Sequence, residues 1–131
     1  WVVTWTSQNQ DAPGQGDFGV YLQRYTASGV QRGGETLVNS ETVGTQWSPT
    51  VTALADGGWV VTWESQNQDG SGQGVYQQRF DDAGVPVGPE TLVNTTTASD
   101  QREPTVAALA DGGWVVTWMS RNQDGSGWGV Y

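Results

Sequence analysis

Trp59-Val60-Val61-Thr62-Trp63 is the stretch on which the fold turns. On an extended strand successive side chains point to opposite faces, so Trp59, Val61 and Trp63 share one face and Val60 and Thr62 the other. Both faces are then largely apolar. A sheet with one solvated face would alternate cleanly between apolar and polar residues, so this strand needs cover on both sides. Valine, threonine and tryptophan dominate the apolar segments and no 3.6-residue period runs far, so nothing reads as helix.

The same pentapeptide stands at residues 1–5 and 114–118, at steps of 58 and 55 residues. The three extra residues lie in the segment 11–21, whose counterpart is 69–76. Elsewhere the units align without gaps. Glu35-Thr36-Leu37-Val38-Asn39 matches Glu90-Thr91-Leu92-Val93-Asn94, and Leu54-Ala55-Asp56-Gly57-Gly58 matches Leu109-Ala110-Asp111-Gly112-Gly113. The chain is one repeat array over 1–131: a first unit, 1–58, lacking its first strand, a second, 59–113, and the start of a third, 114–131.

Each unit reads as four strands. The first is 104–109, closed by the two-residue hairpin signal Asp111-Gly112. The second is 59–63 or 114–118, and the third, 74–80, follows the polar loop 65–72. The turn Asp81-Asp82-Ala83-Gly84 leads to a fourth strand at 90–94, and the link 95–103 returns to the next unit. Four antiparallel strands per unit, covered on both faces by like units, predict an all-β array of β-propeller-like blades, with a stacked β-solenoid as the alternative. Repeat units bury their faces only against neighbours, so the expected partners are flanking repeats or other copies of the chain, joined in a ring or a filament.

Composition removes whole classes of chemistry. The chain has 131 residues, 14 acidic side chains, 5 arginines and no lysine, histidine or cysteine, for a net charge of -9. Cysteine nucleophiles, Ser-His-Asp relays, zinc sites of the usual nitrogen and sulfur type, P-loop lysines and Schiff bases are excluded. The charge speaks against nucleic acid, and no apolar run approaches the roughly 20 residues of a membrane insertion. Apolar residues at 35% and aromatics at 11% are too many for a disordered acidic tail. The first residue is not methionine, so a processed or excised piece of something longer is expected.

Two groups of residues could carry function. Asn67-Gln68-Asp69-Gly70-Ser71-Gly72 sets oxygen side chains at alternate positions before a glycine, the spacing of the first half of a calcium loop. Asn122-Gln123-Asp124-Gly125-Ser126-Gly127 repeats it. In the first unit Asn9 and Asp11 lead into Ala12-Pro13-Gly14, with Asp17 further on. The candidate calcium ligands are therefore Asn67, Asp69, Ser71, Asn122, Asp124, Ser126, Asn9, Asp11 and Asp17. Each of the first two loops has one carboxylate, and Gln78 stands where a glutamate would close the site. The competing reading is a turn whose Asn and Asp side chains cap backbone amides.

Trp47 and Trp128 form the second group. The tryptophans of the pentapeptides recur and read as core, whereas the middle-unit counterparts of these two are Arg102 and Gln73. They could stack on a glycan or pack locally. Among the acids, Asp56 and Asp111 fit hairpin turns, and Asp81-Asp82 reads as a solvated turn. Glu64, which becomes Thr6 and Met119 in the sister units, reads as exposed. With no acid in a context that would raise its pKa, an enzyme is not expected. Arg24 and Arg79 recur on the third strand, where each should pair with an acid or pack its stem.

The string Ala110-Asp111-Gly112-Gly113-Trp114-Val115-Val116-Thr117-Trp118, followed by Asn122-Gln123-Asp124-Gly125-Ser126-Gly127, resembles a Trp-rich tandem repeat of large secreted and surface bacterial proteins. Gln78-Arg79-Phe80-Asp81, Gly84-Val85-Pro86-Val87-Gly88 and Leu92-Val93-Asn94-Thr95 fit the same consensus. The resemblance implies a place beside calcium-binding RTX repeats and cadherin-like modules in type I secretion substrates and adhesins, hence an extracellular or cell-surface location. The expectation is a non-catalytic structural or adhesive module that assembles through repeat faces, with calcium as candidate cofactor. The alternatives are a carbohydrate-binding module and a polysaccharide hydrolase.

Overall fold

The computed structural model describes residues 1–11 and 17–131. Ten strands follow in order: β1 (Val2–Gln8), β2 (Phe18–Tyr25), β3 (Gln31–Leu37), β4 (Gln46–Ala53), β5 (Trp59–Gln66), β6 (Gln73–Phe80), β7 (Pro86–Leu92), β8 (Gln101–Ala108), β9 (Trp114–Arg121) and β10 (Trp128–Val130). They form three sheets, β1-β2-β3, β4-β5-β6-β7 and β10-β9-β8, and every neighbouring pair is antiparallel. The described residues include no helix, and so none long and apolar enough to cross a membrane. The first strands lie side by side, β4 against β8, while β8 also packs on β5 and β6. This is the arrangement of propeller blades. The solenoid alternative is not followed.

The central strand behaves as its sequence demands. Trp59, Val61 and Trp63 join Val20, Leu22, Val38, Tyr76 and Phe80 in a core against the first blade. Val60 joins Leu54 and Val106 on the other face, with Trp114 and Val116 packed beside them from the third. Trp63 is fully buried. A tryptophan removes about 200 Å² from water, worth about 5 kcal/mol before the entropy of ordering is charged against it. Trp63 stacks on Tyr76 and Trp59 on Phe80, repeating in the second blade the stacking of Trp5 on Tyr21 in the first.

Hydrogen bonding moves some boundaries. The sheets divide the chain in the links 38–45 and 93–100, so β4 and β8 belong with the strands that follow them, although units 1–58 and 59–113 carry them at their ends. A repeat has no phase in sequence; the ladder supplies it. The fourth strand, expected at 90–94, begins at Pro86. The outermost strand tolerates a proline, and Gly88 at φ 75° accommodates a bulge. Gln78 donates to the carbonyls of Arg79 and Gly88, satisfying backbone the bulge leaves unpaired.

The Asp56-Gly57 hairpin is also longer than two residues. Leu54 N donates to Gly58 O, Gly57 N returns to Leu54 O, and Gly57 takes the left-handed conformation at φ 88°. Asp56 Oδ1 accepts the Gly58 N–H at 3.0 Å, and Asp111 does the same for Gly113.

Candidate functional site at the loop end of the blades

The loops joining second to third strands and the links between blades emerge at one end of the sheets, marked by the pairs Gln8–Phe18, Gln66–Gln73 and Arg121–Trp128. Every residue singled out from sequence as a ligand therefore lies at this end. The hairpins at Asp56 and Asp111 and the turn at Asp81-Asp82 occupy the other.

In the second blade's loop, Asn67 sits at φ 60°, its N–H bonded to Gly72 O at 2.6 Å. Asp69 Oδ1 accepts the Ser71 N–H at 3.2 Å, and Oδ2 accepts from Asn94 Nδ2 at 3.3 Å. The third blade repeats the turn: Asn122 at φ 60°, Asp124 Oδ1 with the Ser126 N–H at 3.4 Å, Asn122 Oδ1 with the Gly127 N–H at 3.0 Å. In the first blade Asn9 has the same φ and donates from its backbone to Asp17 O at 2.9 Å. The intervening Ala12-Pro13-Gly14 lies outside the described residues.

As donor sets these loops fit a capped turn. The one carboxylate of the second loop already accepts on both oxygens, and Gln78 is engaged at the β7 bulge. No group of three or more acidic residues able to hold a metal occurs among the described residues.

One partner of these loops was not legible in sequence. A Cβ added to Gly74 would lie 2.7 Å from Asp69 Oδ2, and one on Gly19 would lie 2.5 Å from Asp11 Oδ2. Gly129 holds the same place beside Asp124 at 3.3 Å. The loop aspartate folds down onto the third strand, which keeps glycine there to receive it.

Between the first and second blades Phe18 and Trp47 wall an open groove of about 420 Å³, completed by Thr6, Thr45 and Gln66. At the next junction Gln73 and Arg102 replace the two aromatics. Trp128 stands apart on β10, 44% exposed, with the Arg102 guanidinium 5.7 Å from its ring centroid. Arg102 also pairs with Asp100 at 3.0 Å.

Glu64 is opposite Trp47 in the β4–β5 register and is buried, which corrects the expectation of an exposed side chain. Its Oε1 accepts the Glu103 N–H from the neighbouring blade at 2.9 Å, and the polar groups of Ser48 and Trp47 lie near enough to favour the charged carboxylate. Burial pushes its pKa above the ordinary value, against the pull of these groups and of Arg102. Ser48 and Glu103 occupy equivalent bulges at φ 53° and 54°, each before a proline, a strained conformation held in both inner strands. The sequence showed Glu64 differing between units; that β4 and β8 would enclose it was a tertiary matter.

No protein-family model matches the sequence, and no curated protein matches it. Among solved structures the chain is similar to an endo-arabinase from Bacteroides thetaiotaomicron VPI-5482, with a TM-score of 0.58 and 16% identity, covering 98% of this chain. The chain spans about half, 50%, of that protein's length. The shared feature is the all-β fold. This likeness overturns the expectation that the chain is not an enzyme, because a hydrolase is built on the same blades. That expectation rested on acids judged in local sequence. In a repeat fold, acids distant in sequence gather at one end, as Glu64, Asp100 and Glu103 do here, and burial shifts a carboxyl that its neighbours in sequence leave untouched.

Proposed function

We propose that the loop end of these blades recognises carbohydrate, with the groove between the first and second blades as the contact surface. The observation that carries this reading is the pairing of Phe18 and Trp47 as groove walls above Thr6, Thr45 and Gln66. Aromatic rings pack against the C–H face of a sugar, while hydroxyl and amide groups bond its rim. The next junction keeps the same backbone with Gln73 and Arg102, so the fold does not demand the aromatics. Trp47 stands opposite Glu64 in the β4–β5 register, which sets the groove wall beside that carboxyl. The likeness to an arabinase supports the substrate class.

Polysaccharide cleavage at this end is a second reading, favoured by Glu64, a buried carboxyl of raised pKa beside the groove wall. Arabinan and a panel of neutral polysaccharides test both readings by retardation in affinity gels and by release of reducing ends. Retention should fall about tenfold in Trp47→Ala and Phe18→Ala, and persist in Trp128→Ala. A chain retarded by none of the polymers, or groove variants that bind as the parent does, would overturn carbohydrate recognition. Release of reducing ends that Glu64→Gln abolishes would establish cleavage; binding without release would remove it.

A further inference from the structure

We infer that Glu64 is a positioning residue for the loop-end groove: its carboxylate holds the segment of β4 that carries Trp47, so carbohydrate binding there is switched by a proton. The inference rests on the carbohydrate reading above and adds how that site is controlled.

The groove itself has nothing to titrate. Its lining residues are Thr6, Phe18, Thr45, Trp47 and Gln66. The carboxyl lies behind the wall. Glu64 is opposite Trp47 in the β4–β5 ladder, and side chains opposite each other on antiparallel strands stand about 5 Å apart at Cβ. Glu64 is 3% exposed, and its Oε1 ties two blades together by accepting the Glu103 N–H at 2.9 Å. The blade that carries Glu64 has a neighbour on each face, so the enclosure is complete on both sides.

The backbone around this carboxyl needs holding. Ser48, next to Trp47, sits at φ 53°, and Glu103 at φ 54°. Non-glycine residues keep that conformation only where their surroundings over-determine it. For Glu103 the restraint is the bond to Glu64. For Ser48 and Trp47 it is the same carboxylate, which their polar groups favour in its charged form.

The sign follows from the chemistry of the carboxyl. Ionised, it only accepts, and it binds N–H donors about twice as strongly as a neutral acceptor does. Protonated, one of its oxygens becomes a donor facing other donors. Ionised Glu64 therefore holds the Trp47–Ser48 segment more firmly, and a firmly held ring loses less freedom when a sugar stacks on it. A sugar over the groove removes little further water from a side chain already buried, so the opposing effect of desolvation is small. The charges around Glu64 keep this sign. From β8 Arg102 favours the carboxylate and is itself paired with Asp100 at 3.0 Å, while the Glu103 side chain is exposed. Arg121 of β9 lies 4.0 Å from Asp100. β4 has no titratable residue. On β6, Val75 is opposite Glu64, Arg79 is paired with Asp56, and Tyr76 is pushed up to about 12 by burial and so keeps its proton.

The test is a tryptophan-fluorescence titration of the intact chain with arabinan and the neutral polysaccharides, polymers that carry no titrating group, from about pH 4 to about pH 8. Affinity of the parent should rise about fivefold as pH passes upward through the Glu64 pKa. Glu64→Gln, neutral and of the same shape, should bind at every pH as the parent does at the acid end. That variant is expected to be the more stable protein over this range, so its weaker binding would not come from unfolding. In a Trp47→Ala background, Glu64→Gln should change nothing further, because Glu64 acts through that ring. A bound polymer whose affinity is flat with pH, or a Glu64→Gln variant that titrates as the parent does, would overturn the inference and leave carbohydrate recognition standing. No binding of any polymer at any pH would remove both.

Discussion

Asn94 Nδ2 donates to Gln101 Oε1 at 3.3 Å across the link that carries the chain from one blade to the next, and both side chains are buried. Asn39 and Gln46 make the same bond at the preceding link, at 3.2 Å. Each asparagine also accepts from the third strand of its own blade, Val75 N to Asn94 and Val20 N to Asn39, both at 2.7 Å. Each glutamine donates back into the link, to Ala98 O and Val43 O. The amides therefore tie the exit of one blade to the innermost strand of the next.

Asn94→Ala strands the buried Val75 N–H and releases the link. Leaving a buried donor unpaired costs about 1–3 kcal/mol, and further bonds to Thr96 O and Asp69 are lost with it. A loss of about 3 kcal/mol in unfolding free energy is expected by urea titration. A loss below about 1 kcal/mol would show that water replaces the side chain and that the link is not held by it.

Gly74→Ala should destabilise by about 1–3 kcal/mol, because the new methyl meets Asp69 Oδ2 at 2.7 Å and that carboxylate is held by Ser71 and Asn94. Gly129→Ala, where the aspartate is 3.3 Å away, should cost less. In Asp69→Ala/Gly74→Ala the two effects should fail to add, since removing the carboxylate removes the clash. Strict additivity in chemical denaturation would refute the packing relationship.

Glu64 makes stability depend on pH in a particular direction. Its folded pKa is raised above the ordinary 4.5 by burial, so the folded state binds its proton more tightly than the unfolded chain does. The contribution is greatest below the unfolded pKa and is lost as pH rises through the folded one. Glu64→Gln removes this term. Relative to the parent, the variant should gain thermal stability between about pH 4 and neutrality. A difference between the two proteins that does not change over that range would show that Glu64 titrates normally.

The calcium expectation can be settled by melting the chain in chelator and in millimolar calcium. With the carboxylate of the second loop already accepting from Ser71 and Asn94, the midpoint is expected to move by less than about 1 °C. A larger rise that Asp69→Asn and Asp124→Asn abolish would assign the loops to the metal.

Sequence alone determined the fold class. The recurrence of Trp-Val-Val-Thr-Trp, with apolar residues on both faces of a short strand, requires sheets stacked between like sheets, and Trp59, Val60, Val61 and Trp63 are buried in that way. Strand alternation is a local property, so it is legible wherever the residues are. The loop turns were legible for the same reason, since Asn at positive φ and Asp capping an amide act within a few residues. Three things were decided only in the tertiary structure. Blade boundaries come from ladders, so β4 joins β5 although it ends the first sequence unit. Glu64 becomes a buried carboxyl because β4 and β8 close over it from different blades. The Phe18–Trp47 groove lies between blades, where residues far apart in sequence meet. In a repeat array the core is written once per unit, while a site is written in the differences between units and exists only where two of them face each other.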